Sequence, residues 1–528
     1  MILNKLYGPD YNLLAPEELT EILKLPIEHA IGNREVVRIN RILAHYDYYD
    51  GKQHKDEFGN YVSANEVERP DGMAYDPSRF TTNYFKAFIK RKARWQMGGD
   101  HGIAVQPKDQ SEDAIELAKG HQDLLYELWR HNNLFSDKIR IARDRLIAGQ
   151  IIAKLTFNPR TGRLHWIWHK ATEVFPIYSN DGFNDLIGAS IIVPKEDPED
   201  ENKTQYWVQR FRMNEEYTDC TFEEVIYDEK LNIIQTIKEE TSLDIDFVPI
   251  VMFEVRDLRT KDTFNDEIED MISLTTQLNK MMEDAQDSLK FEMFNTLVLT
   301  NVEPGTAASM QVAPGAVIEV NNQTDGKEAD AKTLQNSFQW KEAFKDQYNR
   351  IKSALHELSG LPQIVPQELN FGGLNDRALQ VLYQDAIQET EEHWLSWGDG
   401  FRELHEKSVR YLQARVDRNK FDYDRDLVNS IEDYSSEMNF ILPLPDDRAS
   451  LVELLMKETD YKFESNRGAL RRLGVQDIEG KMEELTEERL ENIRLFGGLD
   501  SGYERVDEDI SEVVESDVDT EITDGIKT

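Results

Sequence analysis

A heptad pattern in the middle of the chain most restricts its possible folds. Apolar residues recur there at alternating intervals of four and three positions, with Thr275 filling one place; they are Phe264, Ile268, Met271, Leu278, Met282, Ala285 and Leu289. So narrow an apolar stripe on an otherwise polar segment predicts a straight helix that packs against copies of itself.

A second helical segment follows a short insert. Its apolar positions are Leu334, Phe338, Phe344, Tyr348, Ile351, Leu355 and Leu358, and a Ser-Gly-Leu-Pro break comes after Leu358. Within the insert, residues 296–300 and 316–320 are rich in β-branched side chains, and two Pro-Gly pairs mark turns between them. The sequence therefore predicts two antiparallel helices with a small module at their tip, in which these two strands pair.

Composition limits the classes of protein that the chain can represent. Its 528 residues exceed one ordinary core, and 101 acidic against 61 basic residues give a formal charge of −40. This charge argues against ordinary nucleic-acid binding, but it is compatible with a channel through which DNA slides. A single cysteine, Cys220, excludes an intrachain disulfide and fits a reducing compartment. No apolar run or N-terminal pattern predicts a membrane span or signal peptide, so assembly in the cytosol is expected.

The regions around the heptad segment differ in their periodicity. Residues 1–45 are predicted to be helical, and further helices are expected up to residue 148, one of them from Asn83 to Gly98-Gly99. Alternating apolar residues over 149–255 predict a mostly antiparallel β region. Helices are predicted from Arg377 to Arg415 and over 446–495, with a strand at Asn439–Leu442 between them. The acidic residues 500–528 are predicted to be disordered.

No motif predicts catalysis. Phosphate-binding, zinc-protease and nucleophile-elbow patterns are missing from the sequence. The acidic run 422–426 resembles a calcium loop but has Leu427 where that loop needs glycine, and His165 with His169 alone does not make a metal site. We therefore expect no enzyme activity, cofactor or metal. Two groups of basic residues are expected to meet acidic faces of neighbouring subunits, with contact to DNA phosphates as the alternative: Lys86, Lys90, Arg91, Lys92 and Arg94, and Lys138, Arg140, Arg143 and Arg145.

Four segments, in this order, carry a resemblance to a known family. They are Tyr48-Tyr49-Asp50-Gly51-Lys52, Asn83 through Gly99, Leu358–Pro362 with Phe371–Leu379, and Leu442–Asp447. Together with the helix–β insert–helix arrangement, they resemble portal proteins of tailed bacteriophages, in the branch of phages with long non-contractile tails. The resemblance covers most of residues 35–490. Many relatives have Gly-Asn-x-Ser-Gly-x-Ala where this chain has Gly373 to Ala378, and no lysine lies between Pro362 and Asp376.

The resemblance implies an α+β portal architecture. Its parts would be an α/β wing (1–260, β-rich at 149–255), two stem helices (264–295 and 335–359), a small β-containing clip (296–334), a tunnel loop (363–377), a long helix returning to the wing (378–445), a helical crown (446–495) and an acidic disordered tail (496–528).

The resemblance also implies a function and its sites. The protein would form a homo-oligomeric ring, usually a dodecamer, at one vertex of the virion capsid, after assembly in the host bacterial cytoplasm. Double-stranded DNA would pass through its channel without sequence specificity during packaging and ejection. Its partners would be the terminase large subunit, a head-completion or adaptor protein, and the major capsid and scaffolding proteins, with no membrane. The tunnel loop would present Gln363, Ile364, Val365, Gln367, Glu368, Asn370 and Phe371 to DNA; clip docking would use Glu303, Pro304, Met310 and Pro314; stem packing would use Phe264, Ile268, Met271, Leu278, Met282, Leu289, Phe338, Phe344, Ile351 and Leu355.

Two other classes remain open on the sequence. A metal-dependent DNA-processing enzyme would need three or more carboxylates that converge in a pocket. A non-channel structural or scaffold protein would not need the β-rich middle of the chain. A ring with a central hole, seen by negative-stain imaging, fits the portal alone.

Overall fold

The computed structural model describes residues 33–52, 78, 81–183, 185–196, 204–228, 232–255, 266–293, 296–301, 330–334, 340–362, 381–443, 448–461, 466–472, 481–482 and 485–486. The chain divides into two compact units, Met1–Leu444 and Pro445–Thr528. Helices and antiparallel sheets both contribute to the first unit, which agrees with the predicted α+β class.

Four helices precede the sheets in the sequence. They are α1 (Asn33–Asp50), α2 (Tyr84–Met97), α3 (Glu112–His131) and α4 (Leu134–Ala148). The Asn83 side chain caps α2 by accepting a hydrogen bond from the Lys86 N–H, as a helix start at Asn83 predicts. Ser111 caps α3 in the same way, and two acidic residues follow it in the first turn. These helices bury apolar side chains in the common core, including Phe85, Ile89, Leu125, Trp129 and Leu146.

The predicted β region forms two antiparallel sheets. The first has the order β3–β2–β9, from β2 (Gln150–Asn158), β3 (Arg163–Lys170) and β9 (Ile250–Glu254). The second is a five-stranded meander in sequence order, made of β4 (Val174–Tyr178), β5 (Leu186–Glu196), β6 (Thr204–Met213), β7 (Cys220–Tyr227) and β8 (Ile233–Ser242). The alternating pattern thus located the β region correctly, and its strands lie within the predicted residues 149–255.

A long helix, α7 (Gln384–Gln413), crosses the core of the first unit. Its residues Trp397 and Phe401 pack against Phe253 on β9, with ring centroids 5.4 and 5.2 Å apart. Trp394 stacks on Phe440 at 5.2 Å and donates a hydrogen bond to the Gln96 carbonyl at the end of α2. The helix therefore joins the first helical segment to the three-stranded sheet.

After α7, the chain forms a short helix, α8 (Arg425–Ser430), and a strand, β12 (Glu437–Asn439). The Asp424 side chain caps α8, so the acidic run 422–426 starts a helix, in line with its interpretation as structural. The strand β12 pairs antiparallel with β1 (Gly102–Ala104) and ends where Asn439–Leu442 was predicted to begin. The predicted strand began two residues too far along the chain, because Glu437 and Met438 do not have high β propensity.

The described part of the second unit is helical, with α9 (Arg448–Asp460) and α10 (Asn466–Arg472). Val452, Leu455, Ala469 and Leu470 line a cavity of about 490 Å³ between them. The predicted acidic tail lies outside the described residues.

Candidate functional site: the α5–α6 hairpin

The heptad segment forms one arm of a helical hairpin. Its first helix is α5 (Asp266–Met293), and its second is α6 (Trp340–Leu358). At 1.5 Å per residue, the 28 residues of α5 span about 42 Å. The helix predicted from the heptad pattern is therefore present, and the α6 end at Leu358 agrees with the predicted Ser-Gly-Leu-Pro break, where Gly360 has a φ of +63°.

A strand pair connects the two helices. Strand β10 (Thr296–Thr300) pairs antiparallel with β11 (Asp330–Leu334), with Thr296 opposite Leu334. Leu334 thus lies in a strand, and its assignment to the second helix was wrong. The partner expected for β10, residues 316–320, lies outside the described residues. Strand β11 was missed because Asp330-Ala331-Lys332-Thr333-Leu334 contains one β-branched residue.

The first half of the heptad stripe is buried within a single chain. Ile268, Met271 and Leu278 are at most 1% exposed, and α5 packs against α6 and α2. Leu355 on α6 is also fully buried. The stripe therefore has a partner within its own chain along these turns.

Polar contacts attach α5 to the first helical segment. The buried Asn279 side chain accepts a hydrogen bond from the Thr82 N–H at 3.0 Å, and Asp287 accepts one from the Ser78 N–H at 2.8 Å. One turn before Asn279, the Thr276 hydroxyl donates to the Tyr48 hydroxyl at 3.3 Å. These three bonds fix one face of α5 along about three turns of helix.

The second helix is attached to α2. The Tyr348 hydroxyl lies 2.9 Å from that of Tyr84, and burial together with this hydrogen bond raises the pKa of Tyr84 to about 12. Below this contact, the rings of His356 and Phe88 meet edge to face at 5.2 Å. Both helices of the hairpin are thus held by the same part of the body, the end of α1 and the start of α2.

Beyond these attachments, the hairpin carries an apolar groove of about 590 Å³ between its helices. Its α6 wall is a row of aromatic rings spaced by four residues: Trp340 and Phe344 are 5.9 Å apart, and Phe344 and Tyr348 are 6.2 Å apart. Leu289 on α5 is 42% exposed in this groove. We call this surface the hairpin groove; it is lined by Met282, Ala285, Gln286, Leu289, Trp340, Lys341, Phe344, Lys345 and Tyr348.

The predicted stem-packing residues therefore separate into two groups. Ile268, Met271, Leu278 and Leu355 are buried in the chain, whereas Met282, Leu289, Phe344 and Ile351 retain exposed surface. Trp340 was missed among them, although its spacing of four from Phe344 is visible in the sequence. Outside the described residues lie Phe264 and Phe338, the clip residues Glu303, Pro304, Met310 and Pro314, and all seven residues predicted for the tunnel loop.

Several of the basic residues have partners inside the chain, and two of them are buried. The Lys92 ammonium is 4% exposed and lies 2.6 Å from the Glu389 carboxylate on α7. Arg145 is fully buried, donates to the Glu254 carbonyl at 2.8 Å and lies 4.4 Å from the Trp397 ring centroid. The expectation of acidic partners on neighbouring subunits is wrong for these two. Lys90, Arg91 and Arg94 are exposed on α2.

Buried histidines of the core have structural contacts. His405 on α7 accepts a hydrogen bond from the Trp129 indole at 3.0 Å, and its other ring nitrogen lies 2.9 Å from the Ser436 hydroxyl. Burial lowers the pKa of His405 to about 3. His169 lies 3.0 Å from Glu173. In the part of the chain that the structure describes, no group of three acidic, histidine or cysteine side chains is placed to hold a metal ion.

One known protein family matches the part of the chain that contains these helices and sheets. The family model for phage portal protein, SPP1 Gp6-like, matches residues 28–494, a span that includes both sheets and the entire hairpin. No curated protein matches the chain. Among the described helices, none combines the length and apolar character needed to cross a bilayer.

Proposed function

From the membership of this chain in the SPP1 Gp6-like family of phage portal proteins, we propose that it forms a closed ring at one capsid vertex and that viral DNA passes through the ring. DNA would enter during packaging and leave during ejection. The family match over residues 28–494 carries the proposal. The role is that of a channel and docking platform, and no chemical step is required of the chain.

The hairpin groove supports ring formation. Its aromatic row and Leu289 expose apolar surface on a helix pair that is already held by its own body. Burying apolar surface contributes about 25 cal/mol per Å², so covering the groove stabilises an assembly. In a ring of more than two copies each contact joins two different surfaces, and the groove of one copy would receive the hairpin of the next.

The portal parts are assigned to the chain as follows. The wing comprises residues 1–260, the stem 264–295 and 335–359, the clip 296–334, the tunnel loop 363–377, the return to the wing 378–445 and the crown 446–495. The β10–β11 pair at the end of the hairpin supports a β-containing clip. The packing of α5 against α6 in the hairpin supports a stem of two packed helices.

Charge supports passage of DNA without binding. Each chain carries a formal charge of −40, so twelve copies carry about −480. A wall of this sign repels phosphates and offers few cations to replace their counterions, so DNA can slide along it.

The clip is proposed to dock the terminase large subunit and the head-completion or adaptor protein. Deletion of residues 303–314 should abolish packaging and leave the sheets of the wing folded. Normal packaging by this variant would remove the clip from the docking role.

The tunnel loop is proposed to follow DNA sterically, since the charged groups of residues 363–376 are Glu368 and Asp376, which cannot grip phosphates, and Arg377 stands only at the end of the loop. Cysteines introduced at Gln367 and Asn370 would allow neighbouring loops to be cross-linked. Packaging should stall while the ring stays intact, and unimpaired packaging with the cross-link in place would exclude the loop from translocation.

Negative-stain imaging of the purified protein is the direct test of the whole proposal. Rings with a central hole are expected. Monomers or filaments without such rings would contradict the proposal. An assay for Mg²⁺-dependent cleavage of DNA addresses the enzyme alternative, and no cleavage is expected.

A further inference from the structure

The last strand of the five-stranded sheet has one free edge. Strand β8 (Ile233–Ser242) pairs with β7 on one side, and no further strand of the sheet pairs with its other side. All ten of its residues are exposed. Alternate N–H and C=O groups of an edge strand point away from the sheet, so β8 offers a row of backbone donors and acceptors.

The edge strands of the three-stranded sheet differ from β8, because side chains bond to their outward backbone groups. Side chains from distant segments occupy the outward backbone groups of both of its edge strands. On β3, the Trp166 and Leu164 N–H groups donate to Asn132 at 2.7 Å and to the Tyr423 hydroxyl at 3.1 Å; on β9, Lys407 and Arg145 donate to the Ile250 and Glu254 carbonyls at 2.9 and 2.8 Å. Both edges are therefore closed to strand addition.

On β8, the described residues provide no comparable closure. The one side-chain bond to its backbone is local, from the Thr241 hydroxyl to the Glu239 carbonyl at 2.7 Å. In addition, Ile233, Ile234 and Ile237 are 52%, 49% and 47% exposed. An exposed edge strand that carries apolar side chains promotes aggregation unless something covers it. The three-stranded sheet has closed edges, whereas β8 keeps an open one. This difference points to a binding function for the edge of β8.

We propose that β8 binds an extended segment of another polypeptide by antiparallel strand addition. Main-chain hydrogen bonds would supply affinity, and the side chains of β8 would select the partner. Three of the first five residues of β8 are isoleucines, whereas Glu239 and Glu240 lie in its second half. The ammonium group of Lys238 lies 5.0 Å from the Phe222 ring centroid on β7. An antiparallel partner therefore carries basic residues first and β-branched aliphatic residues after them.

A second copy of β8 is a poor occupant of this edge. Antiparallel self-pairing would place the aliphatic half of each strand opposite the acidic half of the other, which buries Ile233 and Ile234 against charged groups. The partner strand is thus not a second β8 but one that carries basic and aliphatic residues.

A fluorescein-labelled decapeptide, Lys-Thr-Lys-Thr-Val-Thr-Ile-Thr-Val-Thr, serves as the probe. We expect it to bind the full-length protein in an anisotropy titration and to slow amide exchange of residues 233–242, measured by mass spectrometry. Two control peptides replace both valines by proline or both lysines by glutamate. Each should bind at least about tenfold more weakly, because one cannot pair its backbone and the other repels Glu239 and Glu240.

Matched protein variants locate the site. Ile237→Lys on β8 should weaken binding of the basic peptide by about tenfold, whereas Ile167→Lys on β3, a residue of similar exposure (39%) beside a closed edge, should leave it unchanged. Circular dichroism checks that both variants are folded. Equal binding of the proline peptide, or unchanged exchange at 233–242 with saturating basic peptide, would overturn the proposal. So would exchange at 233–242 that slows with protein concentration in the absence of peptide, because a second copy would then occupy the edge.

Discussion

The hydroxyl groups of Tyr84 and Tyr348 lie 2.9 Å apart and join α2 to α6 across 264 positions of the chain. Replacement of Tyr348 by phenylalanine removes this bond without changing the ring. We expect a loss of about 1 kcal/mol in the free energy of unfolding, measured by urea denaturation. Tyr217→Phe, at a side chain that is 53% exposed, is the control and should have no measurable effect. Equal effects of the two variants would show that the Tyr84–Tyr348 bond does not contribute to the hairpin attachment.

A substitution at Leu289 tests ring assembly separately from folding of the monomer. Because this side chain is 42% exposed in the hairpin groove, Leu289→Asp should leave the monomer folded but prevent ring formation. Size-exclusion chromatography with light scattering measures the assembly state. Leu395→Asp on α7, at a side chain that is 74% exposed outside the groove, is the control and should still form rings. Rings of normal stability with Leu289→Asp would exclude the groove from the subunit interface.

Leu278 tests the fold of the hairpin instead. The heptad pattern alone predicts that Leu278→Asp blocks ring assembly, but Leu278 is fully buried in its own chain, so the charge would also unfold the hairpin. Leu278→Ala should lower the free energy of unfolding by about 2 to 5 kcal/mol through the lost contacts and the cavity. The same substitution at Leu289 should cost far less in the monomer, and urea denaturation of both variants checks the difference. Equal costs would contradict the packing of α5 against its own chain.

The buried His405 makes the fold sensitive to acid. Its pKa is about 3 in the folded protein against 6.5 when unfolded, so the unfolded chain binds more protons between these values. Its contribution to stability is therefore complete above pH 6.5 and is lost as the pH falls toward 3, by an amount on the order of 5 kcal/mol. His405→Gln should reduce the pH slope of the unfolding free energy between pH 7 and 5 by up to about 1.4 kcal/mol per pH unit. The same change at the partly exposed His165 should reduce it less, and similar slopes for both variants would contradict the prediction.

Two glycines of α7 should respond to alanine in opposite directions. A Cβ at Gly400 would overlap the ring of Phe253, whereas one at Gly398 would meet only the Phe440 ring at 3.8 Å. Gly400→Ala should therefore destabilise the protein by about 1 to 3 kcal/mol. Gly398→Ala should stabilise it by up to about 1 kcal/mol, since alanine favours a helix. Thermal unfolding of the two variants gives the signs, and the same sign for both would contradict the close packing of α7 on β9.

Local patterns in the sequence predicted most elements of the fold. The heptad spacing located α5, and alternation located the strands of 149–255, because periodicity reports which faces a single element buries. Periodicity does not show which element, of the same chain or of another subunit, covers that face. Nothing in the spacing of Ile268, Met271 and Leu278 distinguishes a neighbouring subunit from α6 and α2 of the same chain. Lys92 and Arg145 were misjudged for a related reason, since their partners Glu389 and Trp397 lie more than 200 positions away.

The pairing of β1 with β12 determines when the first unit can be completed. The His101 ring beside β1 accepts the Ile441 N–H beyond β12, from a residue 340 positions later in the chain. At the usual rate of synthesis, about 5 to 20 residues per second, roughly 20 to 70 seconds separate the emergence of these two segments from the ribosome. Until residues 384–413 have been synthesised, the apolar side of β2, β3 and β9 that α7 covers is without its partner. Completion of the first unit therefore has to wait for a segment more than 300 positions beyond β1 to leave the ribosome.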